Sequence, residues 1–239
     1  MDIGIVSRVI GNIQHHVKPV SNFFVLVYYR IFKTREFQFK GEKYFYLYSL
    51  HNETFRNERS VEIPIVMKYM IQYKGRKILE VGNVLSHYFY GVHKIIDKYE
   101  KGASILNYDI TEYHPNEKFD LIVTISTLEH VGWDEYSRYG DESTNEKNNP
   151  KLLLKAIAVL KEMLNEGGIM IATMPLGFNS YLDSLIKDGN LGFSEISFLK
   201  RISKDNEWRE VTYDDVKNIK YSDPYPCANA LMVGMFQSK

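Results

Sequence analysis

The most constraining feature of this chain is a series of short, nearly continuous apolar segments, rich in β-branched residues and separated by polar turns. They are residues 77–81 (KILEV), 93–97 (HKIID), 104–108 (SILNY), 119–126 (FDLIVTIS) and 169–173 (IMIAT), with two more at 196–201 and 230–236. Strands buried on both faces read as unbroken apolar runs, whereas strands with one wet face alternate. A helical pattern lies between the fourth and fifth segments. Leu153, Ile157, Leu160 and Leu164 share one face, Asn149 is placed to cap it, Pro150 suits its first turn and Gly167-Gly168 its end. The expected fold is therefore α/β: a doubly wound, mostly parallel seven-stranded sheet.

Residues 1–74 differ in character and form an aromatic-rich N-terminal extension, with residues 75–239 as the sheet-bearing domain. Phe37, Phe39, Tyr44, Phe45, Tyr46 and Tyr48 crowd into the extension. Residues 36–50 alternate well enough for a hairpin around Lys40-Gly41-Glu42. Residues 61–74 carry Val61, Ile65, Met67, Tyr69 and Ile71 at helical spacing, with Gly75 as the stop. Further upstream, Ile3, Val6, Val9, Ile10, Ile13 and Val17 are spaced for a helix packed on the domain, with a peripheral membrane contact as the alternative. The apolar run from Phe23 to Phe32 is broken by Arg30 and is far shorter than the roughly 20 residues of a membrane span.

Charge and cysteine content narrow the chemistry. Lys plus Arg and Asp plus Glu number 30 each, so no global field draws in nucleic acid. The single cysteine, Cys227, rules out an intrachain disulfide and a zinc site built on several thiolates, and reads as a bystander thiol. With no signal peptide pattern, the expected compartment is the cytoplasm.

The chemistry should lie beyond the carboxyl ends of the strands. The first strand ends in Glu80-Val81-Gly82, and a glycine there lets the chain turn sharply beside a ligand. A dinucleotide would require further glycines, because its diphosphate must nearly touch the main chain; Val84 and Leu85 stand in that loop instead. A nicotinamide or flavin enzyme is thereby disfavoured. Two carboxylates end later strands. Asp109 leaves too little chain before residue 119 to close the second strand, so Asp97 is assigned to it and Asp109 to the third.

E-V-G at a strand end resembles the first motif of class I S-adenosylmethionine-dependent methyltransferases. FDLIVTISTLEHV (119–131) resembles their fourth motif with the Leu-Glu-His-Val signature of the small-molecule branch, and Asn165-Glu166-Gly167-Gly168 before IMIAT resembles their Gly-Gly turn. The resemblance spans about residues 77–175 and implies a Rossmann-like fold. It also implies S-adenosyl-L-methionine as cofactor and methyl transfer to a small-molecule, glycan or lipid-linked acceptor. It places Glu80, Gly82, Asn83 and Ser126 at the cofactor, Asp97 on its ribose, and Asp109 with the backbone of Ile110 at the adenine edge. Arg59, in a polar cluster ahead of the first domain helix, would pair with the methionine carboxylate. His130 would be the base, with Glu129 beside it, and no metal site is implied. A non-catalytic binding protein on the same fold is the alternative.

Overall fold

The computed structural model describes residues 21–33, 35–91, 93–134 and 149–239. The helix expected over residues 3–17 lies outside them, as does most of residues 133–149, a polar run without clear periodicity that reads from the sequence as an acceptor-side loop or lid. Residues 21–32 are helical. Strands β1 (Glu36–Phe39) and β2 (Glu42–Phe45) form the expected antiparallel hairpin. Lys40 and Gly41 both take positive φ in its two-residue turn, the geometry that matches strand twist. Helix α1 (Arg59–Gln72) follows, then β3 (Ile78–Val81), β4 (Lys94–Ile96), β5 (Ile105–Leu106) and β6 (Phe119–Ile125). Helix α2 (Lys151–Glu162), β7 (Leu164–Pro175), α3 (Ser180–Lys187), β8 (Glu195–Arg201), β9 (Trp208–Val211) and β10 (Ala230–Gln237) complete the chain.

The main sheet runs β5-β4-β3-β6-β7-β10-β8-β9. Its first five strands are parallel, β10 lies antiparallel between β7 and β8, and β9 adds antiparallel to β8. The chain therefore steps outward from β3 to β5 and returns to the other side of β3 at β6. That reversal opens a crevice between the carboxyl ends of β3 and β6, the standard ligand position in open α/β sheets.

Strand pleating sorts the core into two layers. Leu79, Val81, Ile122, Met170, Ala172 and Met232 face α2 and α3. Ile78, Leu121, Val123, Ile125, Ile169, Ile171 and Val233 face α1, the hairpin and helix 21–32. Both faces of the sheet are covered, which explains the unbroken apolar strands. A polar seam ties the N-terminal segment to the far edge of the sheet: Asn206 Nδ2 donates to the carbonyls of Thr54 (3.2 Å) and Asn57 (2.8 Å) and to Ser60 Oγ (2.9 Å).

Four expectations need correction. The sheet has eight strands, not seven, because β9 pairs through its backbone although its sequence, Trp-Arg-Glu-Val, carries two adjacent charges. Helix α1 spans Arg59–Gln72 rather than 61–74, with Gly75 in the turn beyond it. Pro150, not Asn149, occupies the N-cap of α2, with no side-chain cap bond. Gly167-Gly168 does not end α2, which stops at Glu162; the pair lies inside β7, where the register jumps from Leu164 opposite Phe119 to Ile169 opposite Leu121. There Gly167 has φ +70°, so the turn read from the sequence exists as an excursion within the strand.

Candidate functional site

Gly82 shows why β3 must end in glycine. Its φ is +83°, and a Cβ there would lie 2.1 Å from Thr127 Oγ1. The loop beyond it is fastened from below. Glu80 is fully buried, and its Oε1 accepts from the backbone N–H groups of Val84 (2.9 Å) and Leu85 (2.7 Å) while Oε2 meets His93 Nε2 at 2.6 Å. Glu80, expected at the cofactor, thus holds the loop and does not line the cavity above it. Two turn amides need acceptors, and a strand-end carboxylate satisfies both.

That cavity measures about 240 Å³ and opens at the carboxyl ends of β3, β4 and β6. Gly82, Asn83, Asp97, Asp109 and Ile110 line one side, and Arg59, Ser126 and His130 the other. Eight of the ten residues singled out from the sequence therefore meet in one crevice. Asp97 follows β4 and braces two segments: its Oδ1 accepts from the N–H groups of Tyr99 (2.8 Å) and Glu100 (2.7 Å), its Oδ2 from Asn83 N–H (3.1 Å). A carboxylate has about four lone-pair sites, so capacity for a further donor is left. Asp109 caps its own turn through the N–H and hydroxyl of Thr111 and pairs with Lys98 at 3.1 Å. Partial burial opposes its charge, but the Thr111 bonds and Lys98 outweigh this and hold its carboxyl below the usual range.

The Arg59 side is dominated by buried carboxylates. Arg59 Nη1 donates to Glu62 Oε2 at 2.5 Å, and Ser126 Oγ to Glu62 Oε1 at 2.6 Å. Ser126 has φ +39°, a strained backbone at the end of β6 that turns its hydroxyl toward Glu62. Glu58 and Glu129 complete a cluster of three carboxylates around one guanidinium. Burial, reinforced by Glu62, raises the pKa of Glu58. Burial also raises Glu129 well above the usual carboxylate range. Burial works against the charge of Arg59, yet Glu62, Glu58 and Glu129 together hold it firmly protonated. Glu129 does not line the cavity, contrary to a role in contact with the reacting groups. Its Oε2 is buried with no hydrogen-bond partner among the described residues, and its carbonyl accepts from Asn179 Nδ2 at 2.7 Å.

His130 does line the cavity. Its Nδ1 lies 2.7 Å from Asp134 Oδ1, its Nε2 3.7 Å from Glu129 Oε1, and its ring meets the edge of Phe178 at 5.0 Å. The tautomer that donates Nδ1–H to Asp134 has Nε2 as its basic nitrogen.

Sequence reasoning missed several lining residues. His51 and His87 stack at 4.8 Å, and Glu100 joins Asn83 Nδ2 (2.7 Å) to His87 (3.2 Å). Burial and the neighbouring His87 lower the pKa of His51. Nothing in the spacing relates residue 51 to residue 87; only the packing of the N-terminal segment over the β3 loop does. Asp134 stood four residues past His130, one helical turn, but was read as part of a long loop.

No family model matches the chain, and no curated protein matches it. Among solved structures, it is similar to the N-methyltransferase NodS from Bradyrhizobium japonicum WM9 in complex with S-adenosyl-L-homocysteine. The identity is 13% and the TM-score 0.42, over 73% of this chain and 84% of that one. A SAM-dependent methyltransferase from Archaeoglobus fulgidus gives 14% and 0.42, over 79% and 98%. A possible histamine N-methyltransferase from Thermotoga maritima gives 11% and 0.42, over 73% and 87%. At such identities no residue role carries over to this chain.

Proposed function

We propose that this crevice binds S-adenosyl-L-methionine and that the protein transfers its methyl group to a small-molecule or glycan acceptor. The observation that carries the reading is the convergence of a strand-end glycine, a strand-end carboxylate and a histidine in one cavity at the switch point of the sheet. The lining suits that cofactor by its chemistry. Asp97 offers an acceptor for ribose hydroxyls, Ile96 and Ile110 an apolar bed for the adenine, and Arg59 spare N–H donors for a carboxylate. A diphosphate would meet Asp97, Glu100 and Asp109 instead, which disfavours a dinucleotide.

The bound cofactor supplies an activated methyl group, so this chain's work is positioning and proton removal. Asp134 orients His130, whose Nε2 takes the proton of a hydroxyl or amine acceptor, a role worth a factor of about 10²–10⁴ in rate. Glu129 packs behind His130, its carboxyl pushed toward the protonated form by burial.

The test is calorimetry of S-adenosylhomocysteine binding to wild type and Asp97→Ala, with thermal midpoints measured in parallel. Losing a charge-assisted hydrogen bond should weaken binding by about 1.5–3 kcal/mol. Unchanged affinity in a folded variant removes Asp97 from the site.

A further inference from the structure

Helix 21–32 is apolar on both of its sides. Inward, Leu26 and Tyr29 are buried, and Tyr29 packs against Tyr48 and Phe55. Outward, Phe23, Phe24, Tyr28, Ile31 and Phe32 are 51%, 67%, 46%, 56% and 71% exposed. Phe24, Tyr28, Ile31 and Phe32 recur at the spacing of one helical face. Arg30 is the only charged residue of residues 21–32, and it donates to the Tyr48 carbonyl at 2.8 Å. A helix apolar all round belongs in a core or in lipid, and here only half of it is in the core. A contiguous apolar face of this kind marks an interaction surface.

Charge identifies what covers it. The chain as a whole is neutral, yet residues 3–35 contain Arg8, Lys18, Arg30, Lys33 and Arg35 and no Asp or Glu. Lys33 is paired with Asp205 at 2.6 Å, and the basic stretch as a whole, set among aromatic and aliphatic side chains, matches the surface of an anionic bilayer, where rings settle at headgroup level. The contact is interfacial: no helix among the described residues is long and apolar enough to cross a membrane. Its position is also telling. Asn22 Nδ2 donates to Glu53 Oε1 at 2.7 Å, and the adjoining His51 and Asn52 line the cavity. Leu50, next to His51, and Tyr108, in the cavity lining, are also exposed.

We propose that helix 21–32 docks the protein on an anionic lipid bilayer, with Phe24, Tyr28, Ile31 and Phe32 inserted among the headgroups and the cavity rim beside the membrane. The inference stands apart from the methyl-transfer reading and survives its failure.

The experiment is co-sedimentation of the full chain with phosphatidylcholine vesicles, with and without phosphatidylglycerol, at low and high salt. Wild type should sediment with the anionic vesicles, less so at high salt. Phe24→Ser/Phe32→Ser should lower the apparent vesicle affinity by about tenfold or more, with an unchanged thermal midpoint because both rings are exposed. Wild type left in the supernatant with both vesicle types overturns the proposal, as does a variant that sediments like wild type. Self-association that the variant abolishes, without any effect of vesicles, assigns the face to a second copy of the chain instead.

Discussion

Glu129 places a carboxyl in a buried cluster already holding Glu58 and Glu62 against the single guanidinium of Arg59. Burial, with Glu62 and Glu58 and against the opposing pull of Arg59, raises its folded-state pKa above the usual 4.5. The folded chain then holds this proton more tightly than the unfolded chain. The group's contribution to stability is present below the unfolded pKa and is lost as pH rises toward the folded pKa. Glu129→Gln keeps the neutral shape and removes the titration. Urea unfolding across pH should show the variant more stable than wild type at neutral pH, by on the order of 1 kcal/mol. The difference should vanish in acid. A variant less stable at neutral pH would mean that Glu129 is charged and satisfied. Glu129 and His130 were legible as candidates because they follow an apolar strand. Their separation was not: neighbours in sequence point apart here, one into the cluster and one into the cavity.

At the scale of elements, the β3–loop–β4 unit carries the most information. Its strand, its glycine and its following carboxylate were all readable from sequence. What the loop needs from Thr127, just past the end of β6 and more than forty residues away, was not. Gly82→Ala should destabilise the protein by about 2–4 kcal/mol, combining a left-handed backbone with overlap at Thr127. Thr127→Ala in the same chain should recover part of this, measured as a double-mutant cycle. Full additivity of the two changes would show that the contact does not limit the loop. The strands of the parallel half were legible because burial on both faces makes them apolar throughout. Strand β9 was not, since an edge strand needs only backbone partners. The C-terminal end of α2 was misplaced for a similar reason: it depends on how β7 departs from and rejoins β6, which local propensity does not encode.

At the scale of the whole molecule, the sheet order places a crevice between β3 and β6, and the N-terminal segment closes over it with His51, Asn52 and Arg59. The first 74 residues read as an extension, yet Arg59 lines the cavity, joined through Glu62 to Ser126 at the end of β6. Composition could show that the segment differs, but only packing shows that it forms one wall of the cavity. We propose that this wall and the strand ends enclose a site for S-adenosyl compounds. The most direct test is isothermal titration of the wild-type chain with S-adenosylhomocysteine and, separately, with NAD. Saturable binding of S-adenosylhomocysteine with no heat from NAD is the predicted result. No binding of S-adenosylhomocysteine, or a preference for NAD, would contradict it.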